Sequence, residues 1–119
     1  MWIAASICDG ETYTIVTPDL DGRVVFNWRT AKTKRTVTNR PLPSWARYPA
    51  GAIVILGAEG LEIPGLNAVI VGEEPPGPRY DYALGMAITA FWHAFHNHPY
   101  TTDSLVEIVD RVRRDYLET

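Results

Sequence analysis

The stretch VGEEPPGPRYDYALGM, residues 71–86, constrains the fold more than any other part of the chain. A β-branched run ends in Gly72, a proline-rich turn follows, and an amphipathic helical pattern begins. A strand that passes through a short turn into a helix aims the helix N-terminus, with its free N–H groups, at the turn. Such a layout suits a phosphate. Its contents do not, because arginine, tyrosine, aspartate and tyrosine stand where a phosphate cradle uses glycine and serine.

The residues before this stretch read first as β-structure. Residues 2–8, 11–17 and 23–28 are rich in Ile, Val, Tyr, Thr and Trp, and turn-forming Asp9-Gly10 and Pro18-Asp19-Leu20-Asp21-Gly22 separate them. Three antiparallel strands in sequence order are the simplest arrangement. A fourth, weaker strand is expected over Arg35–Asn39, with its cationic side chains blunting an open sheet edge. Pro41-Leu42-Pro43 then closes the β-rich half.

Ser44 is placed to cap a helix from Trp45 to about Gly57. Pro49 either kinks its first turn or marks its true start. Ile53-Val54-Ile55-Leu56 is apolar all round, so this helix is expected to be buried on more than one side. Ile63-Pro64-Gly65 turns into a strand over Leu66–Val71. After the loop, Leu84, Ala87, Ile88, Phe91 and Phe95 fall at helical spacing, and Asn97-His98-Pro99 stops that helix near His96. Thr101 or Thr102 caps a last helix, whose buried stripe is Leu105, Ile108, Val109, Val112 and Tyr116. The predicted fold class is α+β: an antiparallel-rich sheet with helices packed on one face, a two-layer sandwich forming one domain over 1–119.

Composition removes several functions. With 119 residues, 46% hydrophobic and 21% charged, the chain suits one core and not a disordered tail. A net charge of −3 gives no reason to expect nucleic acid. The basic group Arg29, Lys32, Lys34, Arg35 and Arg40 has no aromatic residue interleaved for base stacking. No apolar run approaches the roughly 18 residues of a membrane span. Cys8 is the only cysteine, and it reads as a buried small hydrophobe in WIAASIC, not as a nucleophile. A lone thiol and no basic-then-apolar leader point to the cytoplasm.

Four segments together resemble one family. They are Asp21-Gly22-Arg23-Val24, Trp45-Ala46-Arg47-Tyr48-x-x-Gly51, Gly72-Glu73-Glu74-Pro75-Pro76-Gly77 and Asp115-Tyr116-Leu117. In order and spacing they are similar to the N-terminal domain of galactokinases, members of the GHMP group of small-molecule kinases. The resemblance implies that group's two-layer domain, with ATP and Mg as cofactors only where the loop still binds them. Carried over residue by residue, the chemistry is missing. Pro75 and Gly77 keep the turn, but Arg79 falls on the loop glycine that lets backbone approach phosphate. Tyr80 follows it, and Asp81, Tyr82 and Ala83 fall on the three serines that hold phosphate and metal. Arg113 falls on the metal-binding glutamate. The sugar-binding motif would precede Met1, and the catalytic aspartate would follow Thr119. The resemblance therefore implies a truncated, degenerate relative with no catalytic residues of its own.

Other candidates have plainer readings. His93, His96 and His98 are the candidate metal ligands, but histidines near a helix C-terminus also serve its dipole and free carbonyls. Asp81, flanked by tyrosines, is a candidate acid/base group, although solvated loop carboxylates are far commoner. Trp2, Trp28, Trp45 and Trp92 cannot all be central in so small a core, so at least one is expected at an interface. The resulting expectation is a non-catalytic binding or assembly module that self-associates or meets a protein partner. The alternatives are one segment of a split sugar kinase acting on galactose or a related sugar, and an unrelated small α+β ligand-binding protein.

Overall fold

The most apolar strand takes the middle of the sheet. In the computed structural model, which describes residues 1–118, β4 (Leu66–Val71) lies between β1 (Trp2–Ile7) and β2 (Thr12–Thr17). It runs antiparallel to β1 and parallel to β2, and β3 (Gly22–Asn27) completes the order β1-β4-β2-β3. The three first strands do form where alternation predicted, and β2 and β3 pair antiparallel. The sequential arrangement fails at one point, because β1 never pairs with β2. The long helical connection between β3 and β4 returns the chain across one face, which is what a parallel neighbour requires.

Alternation explains which side faces inward. Tyr13, Ile15, Val24, Phe26, Leu66, Ala68 and Ile70 are buried, whereas Asn67 and Val69 point the other way. The helices cover that inner face. Trp28, expected to end the third strand, instead begins helix α1 (Trp28–Lys32), which an Asn27–Thr30 capping box opens. Residues 35–39 form no strand. Left-handed Lys34 and Asn39, at φ 60° and 65°, break the extended run, leaving a single bridge between Arg35 and Pro41. The segment still covers the edge of β3, where Val37 N–H donates to the Val25 carbonyl at 3.0 Å.

Helix α2 (Ser44–Ala58) begins one residue earlier than expected, after Pro43, so Ser44 is its first residue and not its cap. Pro49 lies inside it and forfeits one backbone bond. Burial of Ala46, Ala50, Ile53 and Leu56 beside Trp45 and Ile55 confirms a helix packed on several sides, against α1, α3 and α4.

Helix α3 (Pro78–Phe95) turns a different stripe inward than the spacing suggested. Tyr80, Leu84, Ile88 and Trp92 are fully buried, Ala87 and Phe91 are half-buried, and Phe95 is 42% exposed. Helix α4 (Thr102–Val112) has the expected cap, a reciprocal Thr101–Ser104 pair, and buries Leu105, Val109 and Val112. A π-helical turn, Arg113–Leu117, carries Tyr116 inward, where its hydroxyl donates to the Ala31 carbonyl and burial pushes its phenol up to about 12. The tryptophans are not all central: Trp92 and Trp45 are buried, Trp28 is half-buried and Trp2 is 59% exposed.

Candidate functional site

The loop 72–77 is held from below by a hydrogen-bond chain that crosses the fold. Asp19 follows β2, and its Oδ2 accepts from the Gly72 N–H at 2.8 Å and from the Tyr80 hydroxyl at 2.9 Å. Buried Thr17 supplies a second hydroxyl, donating to that of Tyr80. Burial raises the Tyr80 phenol first, while the Thr17 and Asp19 bonds oppose one another. Tyr80 is therefore an anchor and not a ligand-facing group. Tyr80→Phe is expected to lower stability by about 1–3 kcal/mol, because it leaves the Thr17 hydroxyl buried without its acceptor. Urea denaturation measures this, and an unchanged midpoint would contradict the anchoring role.

The neighbouring loop-equivalent residues are spent in other ways. Gly77, at φ 143°, takes a conformation that side chains rarely adopt, and Pro78 follows it at the first helical position. Pro75 is exposed. Asp81 is desolvated, which raises its carboxyl, and a bond from Ser44 partly offsets this. Its contribution to stability is thus complete below the unfolded value of 3.8 and lost as pH rises through the higher folded value. Asp81→Asn is expected to change little at pH 3 and to stabilise at pH 7; equal denaturation midpoints for the two proteins at pH 7 would contradict it.

Tyr82 reaches Asp110 Oδ1 at 3.4 Å and meets Tyr48 edge-on, with ring centroids 5.9 Å apart. Burial raises both phenols, and Arg113 lowers both. Tyr48 and Tyr82, with Ala83 and Met86, wall an open cleft of about 830 Å³. Glu74, Arg79 and Arg113 also line it. Arg79 is exposed and has no ion-pair partner among the described residues, and Arg113 makes only a 3.9 Å contact with Asp110. Thus α2, α3 and the end of α4 bring Arg79, Tyr82 and Ala83 together with Arg113, while Tyr80 and Asp81 face elsewhere. Sequence reasoning missed Asp19, which looked like turn residue only, and Asp110, whose three-residue spacing from Arg113 was the available signal.

The histidines do not converge on one point. His93 Nδ1 lies 2.9 Å from the Thr89 carbonyl, and His96 Nε2 lies 2.7 Å from that of Glu62. No group of three or more His, Cys, Asp or Glu side chains suited to a metal ion occurs among the described residues. Cys8 is half-buried, not the core residue expected, since it lies just past the end of the edge strand β1. No described helix is long and apolar enough to cross a membrane.

Several solved kinase structures share this architecture. The Lactococcus lactis galactokinase complexed with galactose superposes with a TM-score of 0.77 at 19% identity, covering 98% of this chain and 30% of that one. The Methanococcus jannaschii mevalonate kinase follows at 0.71 and 13%, covering 98% and 37%. Streptococcus pneumoniae phosphomevalonate kinase, solved with phosphomevalonate and AMPPNP, gives 0.60 and 15%, covering 93% and 32%. The chain thus has the GHMP-kinase fold, as the segment resemblance implied, over about a third of those kinases' length. At these identities the likeness is one of fold. No family profile and no curated protein sequence matches the chain. The position expected for the catalytic aspartate lies outside the described residues.

Proposed function

We propose that this chain is a GHMP-kinase-like module that does not transfer phosphate and acts by binding and assembly. One observation carries the reading: the helix that would receive phosphate begins with an exposed Arg79, a core-locked Tyr80 and an Asp81 bonded to Ser44. Phosphoryl transfer needs positioned phosphates and a metal. A carboxylate, an aromatic residue and an alanine at the three hydroxyl positions, Asp81, Tyr82 and Ala83, work against both. Assembly, through a second copy or a protein partner, is supported by the apolar side chains left open on β1 and β4, with Trp2 59% and Val69 38% exposed. Location in the cytoplasm belongs to the same proposal and rests on the lone thiol.

The test is a coupled ADP-release assay on the purified chain with Mg-ATP and galactose or mevalonate. No substrate-dependent turnover is expected, and phosphorylation of either substrate by this chain alone would overturn the reading. A second reading, one segment of a split sugar kinase, is favoured by the 30% share of the galactokinase that the chain covers. Turnover that appears only on mixing with chains encoded beside it would select that reading.

A further inference from the structure

The cleft at the start of α3 holds opposite charges that do not meet. Among the described residues Arg79 has no ion-pair partner, and Arg113 has a single one, a 3.9 Å contact with Asp110. On the other side of the balance, Glu74 Oε2 is out of contact with solvent and has no hydrogen-bond partner among the described residues. It lies over Gly72, so close that a Cβ there would approach it to 2.7 Å. An unpartnered carboxylate oxygen removed from water is costly, and the expense is relieved by any donor brought to it. Between these charges the wall is aromatic and polarisable, made by the Tyr48–Tyr82 edge-on pair and Met86.

We propose that this cleft binds a free α-amino acid with an aromatic or large apolar side chain, without a metal ion. A ligand that carries both signs answers both kinds of group in this one cleft. Its carboxylate takes the planar fork of Arg79, with Arg113 as a second cation. Its ammonium donates to Glu74, and its side chain lies against Tyr48, Tyr82 and Met86. Arginine supplies the positive charge permanently, so no divalent cation is required. A triphosphate would instead meet Glu74 with like charge.

This inference rests on the reading of the chain as a binding module, and the two fail separately. Calorimetric titration of the whole chain with L-phenylalanine and L-methionine, with and without EDTA, is the experiment. Saturable binding in the range of about 10 μM to 1 mM is expected, unchanged by EDTA. 3-Phenylpropanoate and 2-phenylethylamine, each lacking one charge, are expected to bind at least about tenfold more weakly, a loss of about 1.4 kcal/mol. Arg79→Ala and Glu74→Gln are expected to weaken L-phenylalanine similarly while leaving far-UV circular dichroism intact. No saturation by either amino acid at about 10 mM, or equal affinity for the single-charge analogues, would overturn the proposal. Phosphorylation of galactose or mevalonate in the ADP-release assay, alongside saturable amino-acid binding, would overturn the non-kinase reading and leave this one standing.

Discussion

Trp92→Ala is expected to destabilise the protein by about 3–5 kcal/mol and to lower its thermal midpoint by about 10–20 °C. Trp92 is the largest of the fully buried side chains, and its ring meets Phe91 and Phe95 edge-on at 5.1 and 5.9 Å. Deleting it removes buried apolar area and opens a cavity beneath α3 that a close-packed interior fills only in part. Its indole N–H, however, has no hydrogen-bond partner among the described residues. Trp92→Phe should therefore lose only volume, and less than half of the alanine effect is expected. Chemical denaturation of the two variants checks both. Equal losses would show that the N–H, and not the ring, accounts for the energy.

Gly51→Val is the second large effect, about 3 kcal/mol of destabilisation. Helix propensity taken alone argues the other way, since a glycine inside a helix is about 0.5–1 kcal/mol worse than alanine. Packing decides the sign. A Cβ on Gly51 would sit 2.5 Å from Val112 Cγ1 and 2.7 Å from Tyr116 Cδ2, both side chains of buried residues. Room for even one methyl must come from moving α4 and the following π-helical turn away from α2. The tether from Tyr116 to the Ala31 carbonyl would be strained with it. Loss of near-ultraviolet circular dichroism and of thermal stability are the expected readouts, and a stability gain would show that propensity outweighs the contact.

Much of the fold is written locally. The bounds of β2 and β4 follow from alternation, and the start of α4 from Thr101 and Ser104, because each signal lies within a few residues. Strand order does not. The insertion of β4 between β1 and β2 depends on which strand buries most apolar surface once the α2 crossover has formed, and no local pattern encodes that. The stripe on α3 was misread for a related reason. Phe91 and Phe95 are apolar, yet the inward face is set by the Tyr80–Asp19–Thr17 bonds at one end and Trp92 at the other.

The candidate site was half legible. Aligned segments placed Arg79, Tyr82, Ala83 and Arg113 at one location, and the structure brings these four to one cleft. The same alignment treated Tyr80 and Asp81 as loop groups, although one is buried and the other is bonded to Ser44. Their partners come from distant segments, so only tertiary structure reveals them. The unmet charge of Glu74 is likewise invisible in the sequence, where it is one of two adjacent glutamates.

The proposed function requires that the GHMP-kinase fold surround a loop that does not hold nucleotide. Calorimetric titration of the purified chain with Mg-ATP tests it most directly. No saturable heat up to about 1 mM nucleotide is the predicted result, since a site weaker than that would not be occupied at ordinary nucleotide concentrations. Saturable one-to-one binding, weakened by removing magnesium, would contradict the account.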